Sequence, residues 1–195
     1  MGPTYVFSST FGRVLTAATA GVALAATLAV LGDLALRDVL TTVLASALGT
    51  LLVWAAFARP AVEVSDGEVV LVNVTRTVRI PWPLLERAEA RWSLEVHTTD
   101  GRRWTAWAAP RSSAAGGAMR ARRGGAQDTG RRPATAEGVQ AAIDERQAAL
   151  LSAGHLDGSR ALAEAAGLRV TVSWHRATIA AVVVLTGAVV ATRVL

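Results

Sequence analysis

The stretch VEVSDGEVVLVNVTRTVRIPWPLLERAEARW, Val62–Trp92, decides the fold. Val62 and Val64 alternate with polar residues, and Ser65-Asp66-Gly67 reads as a hairpin turn, because Asp-Gly tolerates the positive φ of the tight turn types. A Val/Leu run follows. Then Val78, Ile80 and Trp82 alternate with Thr77 and Arg79 until Pro81 and Pro83 stop the strand, since proline cannot donate to a ladder. PLLER reads as a short turn and RAEARW as a strand. SLEVHTT and RRWTAWAA form a second hairpin around Asp100-Gly101. The expectation is five or six short antiparallel strands. Trp82 packs in the core or stands out as an anchor.

Working outward, this β-rich stretch sits between apolar runs. Val14–Leu31 and Val39–Ala58 carry no charge, and Ala177–Thr192 is also uncharged. At about 1.5 Å per residue the first two runs reach roughly 27–30 Å, the thickness of a bilayer's hydrocarbon core. Both are expected to be transmembrane helices. The third spans if Trp174 or Val194-Leu195 extend it. A secretory signal peptide is the alternative for the first run, but no positive charge precedes Arg13 and the run exceeds a usual signal core. Small residues at four-residue spacing (Ala17, Gly21, Ala25 and Ala45, Gly49) would let the first two helices pack as a tight hairpin, or arise by chance in Ala-rich helices.

Composition agrees with a membrane protein. Of 195 residues 52% are hydrophobic and 18% charged, and the mean hydropathy is +0.37. There is no Cys, which excludes disulfides, thiolate metal sites and Cys nucleophiles. All 20 basic residues are Arg, so Schiff-base and P-loop lysines are excluded too. Residues 1–58, 59–110 and 133–195 are each neutral; the whole excess of +5 lies in residues 111–132. Arginines near the span ends predict a cytoplasmic N-terminus and middle region, with the C-terminus outside.

The succession of a proline after a membrane helix, the SDG hairpin, a strand ending RTVRIPW, the turn PLLERA and the hairpin LEVHTTDGRRWTAWA resembles the bacterial PH-like domain of actinobacterial membrane proteins. The similar type is the one named for low-molecular-weight antigen 6. The likeness covers residues 59–110, and two spans before with one after are similar to that family's arrangement. It implies a bent antiparallel sheet capped by a helix, a full module having about seven strands and a C-terminal helix. It implies no catalytic residue.

The expected class is therefore membrane α plus small β. Residues 1–58 form a helical hairpin (spans 14–31 and 39–58) and 59–110 the PH-like β-module. Residues 111–134 form a disordered Arg/Gly-rich linker, 135–176 a helical cap and connector, and 177–195 a C-terminal span. In the cap, Thr135 is an N-cap, Glu137 suits the first turn, Gly154 ends the helix, and Val139, Ile143, Leu150 and Leu151 form the apolar stripe. SRALAEAAG reads as a second short helix. LRVTVSW reads as an edge strand or as the entry to the third span.

Candidate chemistry is sparse. His97, His155 and His175 are scattered, with no i, i+4 pair. His97 reads as a surface residue. Glu86 and Glu89 read as a solvated face, since acid–base work needs a pocket and perturbed pKa values. Asn73-Val74-Thr75 matches a glycosylation sequon on a cytoplasmic strand, a chance match. No metal, cofactor or catalytic residue is nominated. The leading expectation is a non-enzymatic integral membrane protein of the inner membrane, presenting its module to an unidentified protein partner. The alternative is an anionic-lipid sensor that contacts headgroups through Arg79, Arg102, Arg103, Arg120, Arg122, Arg123, Arg131 and Arg132, each Arg near the leaflet adding on the order of 1 kcal/mol. The linker is otherwise a solvated tether. Trp174 and Arg176 are the expected interface anchors. Membrane lipids are expected as partners; nucleic acid is not. A membrane enzyme is the remote third reading.

Overall fold

The structure, a computed structural model, describes residues 3–31, 35–110 and 131–194. The chain divides into two units. One comprises Met1–Ser8 and Pro60–Ser173, the other Ser9–Arg59 and Trp174–Leu195. The strands are β1 (Tyr5–Ser8), β2 (Ala61–Val64), β3 (Glu68–Val72), β4 (Arg76–Pro81), β5 (Leu85–Ala90), β6 (Ser93–Thr98), β7 (Arg103–Pro110), β8 (Arg131–Pro133) and β9 (Thr171–Trp174). The helices are α1 (Thr10–Val30), α2 (Leu36–Val53, continued by a π-helical turn Trp54–Ala58), α3 (Ala136–Ser152), α4 (Ser159–Ala165) and α5 (Arg176–Val194).

In the first unit, period-two alternation sets the register of the larger sheet, ordered β8-β1-β2-β3-β4-β9. Strands β1 to β4 are antiparallel in succession, and β8 runs parallel to β1. Two inward rows result, Tyr5–Val64–Val69–Ile80 and Phe7–Val62–Leu71–Val78. A one-residue slip would turn both rows to solvent, so burial itself specifies the register. The smaller antiparallel sheet, β5-β6-β7, adds Ala88, Leu94, Val96, Trp104 and Ala106 to the same core, and α3 closes it with Ala136, Val139, Ala142 and Ile143.

Trp82 packs in this core, its Nε1–H donating to the Ser65 carbonyl at 3.0 Å. Thr135 caps α3, accepting from the Gly138 N–H. Arg146 of α3 pairs with Asp66 in the β2–β3 turn, donates to the Pro3 carbonyl at 2.6 Å and lies 5.6 Å from the Tyr5 ring centroid. It thereby ties the cap helix to the chain's first strand.

Several expectations need correction. Strand β1 lies before the first span, in the stretch assigned wholly to the helical hairpin, because Tyr5 and Phe7 find Val64 and Val62 to pack beside. The short turn expected over PLLER is a single 3-10 turn, Trp82–Leu84, so β5 starts at Leu85 and takes in Glu86 as well as Glu89. Gly67 has no positive φ; the Ser65 hydroxyl bonds both the Glu68 N–H and carbonyl and closes that turn instead. Gly101, with φ +76°, does use the left-handed region. Leu151 is exposed, and the buried face of α3 is confined to its N-terminal half, Ala136, Val139, Ala142 and Ile143. Residues 131–133, placed in the linker, form β8; the rest of the linker, from 111 to 130, lies outside the described residues. The LRVTVSW segment takes the first of its two readings and adds β9 beside β4.

The second unit contains three helices long and apolar enough to cross a membrane: Thr10–Val30, Leu36–Ala58 and Arg176–Val194. Among its described residues only Gly12, Thr41 and Ala55 are buried, while Val22, Leu24 and Leu28 are each more than 60% exposed. Such surface is compatible with a membrane and poorly suited to water. The tight approach of α1 to α2 falls at Gly12. A Cβ there would collide with the Phe57 carbonyl oxygen, whereas Gly21 and Gly49 have open space. Ala17, Gly21 and Ala25 are exposed, so that small-residue stripe is not the seam between α1 and α2.

Candidate functional site

The outward face of the second sheet carries a cluster of paired charges. Strand alternation that sends Leu94, Val96, Trp104 and Ala106 inward sends His97, Glu95, Arg103, Thr105 and Trp107 outward. Register then forms two cross-strand rows, Arg87–His97–Arg103 and Glu89–Glu95–Thr105. Glu89 opposite Glu95 would repel. The neighbouring row supplies the compensation: Arg87 Nε lies 2.6 Å from Glu89, Arg91 Nε 3.0 Å from the same carboxylate, and Arg103 3.4 Å from Glu95. Arg87 also reaches Glu86 at 3.2 Å. Three arginines thus meet three glutamates and the face is neutral. The hydrogen bond from Arg87 holds the Glu89 carboxyl below its ordinary pKa, helped by the charge of Arg91, and the same bond raises Arg87.

His97 stands in the middle of this face, more enclosed than the surface histidine expected. Its Nε2 is shielded, has no hydrogen-bond partner among the described residues, and lies 3.9 Å from Glu89. Asn73, of the sequon, spends its side chain on β7: Nδ2 donates to the Thr105 carbonyl at 3.0 Å and Oδ1 accepts from the Trp107 N–H at 2.7 Å. It works as a short extra strand that ties the β3–β4 turn to the second sheet. Two tryptophans break the polar surface. Trp92, in the β5–β6 turn, is 88% exposed and Trp107, on β7, is 59% exposed.

Among the described residues, those expected to contact lipid are not gathered on one face. Arg79 lies on the first sheet, 2.5 Å from Glu68. Arg102, in the β6–β7 turn, is 3.5 Å from Asp100, whose carboxyl is held down mainly by the Thr98 hydroxyl. Arg103 belongs to the neutral face. Arg120, Arg122 and Arg123 lie outside the described residues, and Arg131 and Arg132 are backbone members of β8. Trp174 ends β9 half-exposed, and Arg176 opens α5. No group of three His, Cys, Asp or Glu side chains fit to hold a metal occurs among the described residues. The prominence of Trp107 was readable in RWTAWAA, where inward Trp104, Ala106 and Ala108 leave Trp107 on the other face. The clamp by Asn73 carried no local signal.

Comparison with protein-family models, with curated proteins and with solved structures returns no match.

Proposed function

We propose that the chain is a non-enzymatic integral membrane protein that presents a PH-like β-module to a protein partner. The observation that carries this reading is the pair of exposed tryptophans, Trp92 and Trp107, on a sheet whose ions cancel. Buried aromatic anchors dominate protein–protein binding energy, and the rim around them is polar. A sheet without excess charge suits such a partner better than a phosphate-rich surface. The PH-like assignment is supported by strand count: β1 to β7 are seven strands closed by the C-terminal helix α3, the number the family resemblance implies.

We place the protein in the inner membrane, with N-terminus and module cytoplasmic and the C-terminus outside. The pairing of β1 with β2 supports a shared side for the N-terminus and the module, because the two intervening helices must leave and return. Single Cys residues at Ser65, Ser112 and Leu195, probed on intact cells with an impermeant thiol reagent, label only at Leu195 if this holds. Labelling at Ser65 puts the module outside.

The partner contact is tested in the full-length protein in its membrane, with a photo-crosslinker at position 92 or 107 and a control crosslinker at Arg79. A partner captured at both test positions and not at the control supports the reading. Identical capture from all three, or none from any, refutes it.

A further inference from the structure

The two ends of the helical unit differ in how their arginines are used. At one end α2 meets the starts of α1 and α5: the Phe57 carbonyl abuts Gly12, and Arg59 Nη1 donates to the Thr178 hydroxyl at 2.6 Å. That gathers Arg13, Arg59 and Arg176 at one end. None has a carboxylate partner among the described residues; Arg13 reaches only the Thr10 hydroxyl, at 3.4 Å, and Arg59 lies over the Trp54 ring, 5.3 Å from its centroid. The acids of this unit, Asp33 and Asp38, fall in sequence at the other end. There Arg37 is occupied with α5, donating to the Thr192 and Arg193 carbonyls at 2.5 and 2.7 Å.

Trp54 is also the end wall of an open groove between α1 and α2, about 530 Å³, lined by Thr16, Ala20, Thr27, Val43 and Ala47 among others. Small-molecule sites are usually roughly 300–1,000 Å³. From Thr16 to Thr27 the groove runs about 16 Å along α1. The Thr16 and Thr27 hydroxyls donate back to the Gly12 and Ala23 carbonyls, so the walls they form present methyl groups. A mostly apolar trough, with Ser46 and Thr50 among its walls, that ends at a guanidinium stacked on an indole suits an amphiphile with an apolar chain and an anionic head.

We propose that this groove holds one acyl chain of an anionic phospholipid, with the lipid phosphate bound by Arg59 and Arg13. Charge argues for this occupant over a second copy of the chain. A parallel copy would bring three more arginines to the same level, whereas a phosphate neutralises those already there. The site is independent of the partner contact proposed for the β-module.

The test uses the full-length protein, delipidated in neutral detergent and mixed with phosphatidylglycerol or phosphatidylcholine, with bound lipid counted by native mass spectrometry. Wild type should prefer phosphatidylglycerol by at least about fivefold, the scale of one arginine–headgroup contact. Arg59→Gln should erase most of that preference. Ala47→Phe, which fills the groove, should weaken binding of both lipids. Arg193→Gln, at the opposite end, and Trp107→Ala should change neither. Thermal unfolding confirms that each variant is folded, and Arg13→Gln replaces Arg59→Gln should that one not fold. Equal affinity of wild type for the two lipids overturns the proposal, as does an undiminished preference in Arg59→Gln. Displacement of the phospholipid by millimolar inorganic phosphate would leave no role for the groove. A cross-linked dimer abolished by Ala47→Phe, with lipid binding unchanged, would assign the groove to a second copy.

Discussion

The β-module and the helical unit reach stable packing by opposite means. The module buries a continuous core from two sheets and a helix, with Leu71, Ile80, Leu94 and Ile143 fully enclosed. Its surface arginines sit beside carboxylates. The helical unit has almost no interior of its own and turns its large side chains outward. It is joined at discrete points: a glycine against a backbone carbonyl and two arginines that reach across to α5. Water drives the first arrangement, since apolar area removed from it contributes about 25 cal/mol per Å². In lipid that drive is absent, and close contact with a few hydrogen bonds must suffice.

If this contrast is right, the largest effect comes from the core. Leu71→Ala should destabilise the module by about 2–5 kcal/mol, read from denaturant unfolding of the full-length protein, through lost burial and the cavity left between the sheets. An effect under about 1 kcal/mol would mean the core is looser than its enclosure indicates. Gly12→Val is the counterpart in the helical unit. Its side chain would run into the Phe57 carbonyl, and overpacking typically costs about 1–3 kcal/mol. The loss should appear as α1–α2 separation by cysteine cross-linking, while Gly21→Val, in open space, should be silent.

Arg146→Leu comes next. It removes one donor each from Asp66 and the Pro3 carbonyl, and about 0.5–1.5 kcal/mol is expected for a lost hydrogen bond of this kind. Hydrogen exchange should rise first in β1, the strand that Arg146 secures. The smallest effect is acid titration of the paired carboxylates. Glu89 and Asp100 have folded pKa values below their unfolded ones, so their contribution is present above the ordinary carboxylate range and is lost as pH falls through the folded values. Glu89→Gln should flatten stability against pH only in that acidic window. A change near neutrality would count against this assignment.

Strands β2, β4, β6 and β7 were legible because each alternates and stops at or close to a Gly or Pro, and β3 because it is a continuous Val/Leu run after a turn. The cap helix was legible from Thr135 and the stripe begun by Val139. Strand β1 was not, since four residues ahead of a long apolar run give too short a pattern and its partner lies beyond two helices. The role of Arg146 was hidden for a similar reason: its acceptors come from segments distant in sequence. Among the candidate site residues, position on the outward face could be read from alternation. Which carboxylate stands beside which arginine depends on register between strands, and no single strand encodes that.

The pairing of Ser8 with Ala61 has a practical consequence. Strands β1 and β2 are antiparallel neighbours whose facing ends are the exit to α1 and the return from α2. Both helices therefore occupy the place of a hairpin turn. Loop tips of this kind are where inserted segments are tolerated. A segment that begins at Pro60 would leave the edge of β2 bare and Val62 without Phe7. Joining Ser8 to Ala61 through Asn-Gly, the two-residue turn that suits antiparallel strands, and ending the chain at Trp174, ahead of the apolar helix α5, should instead give a water-soluble module with its first strand restored.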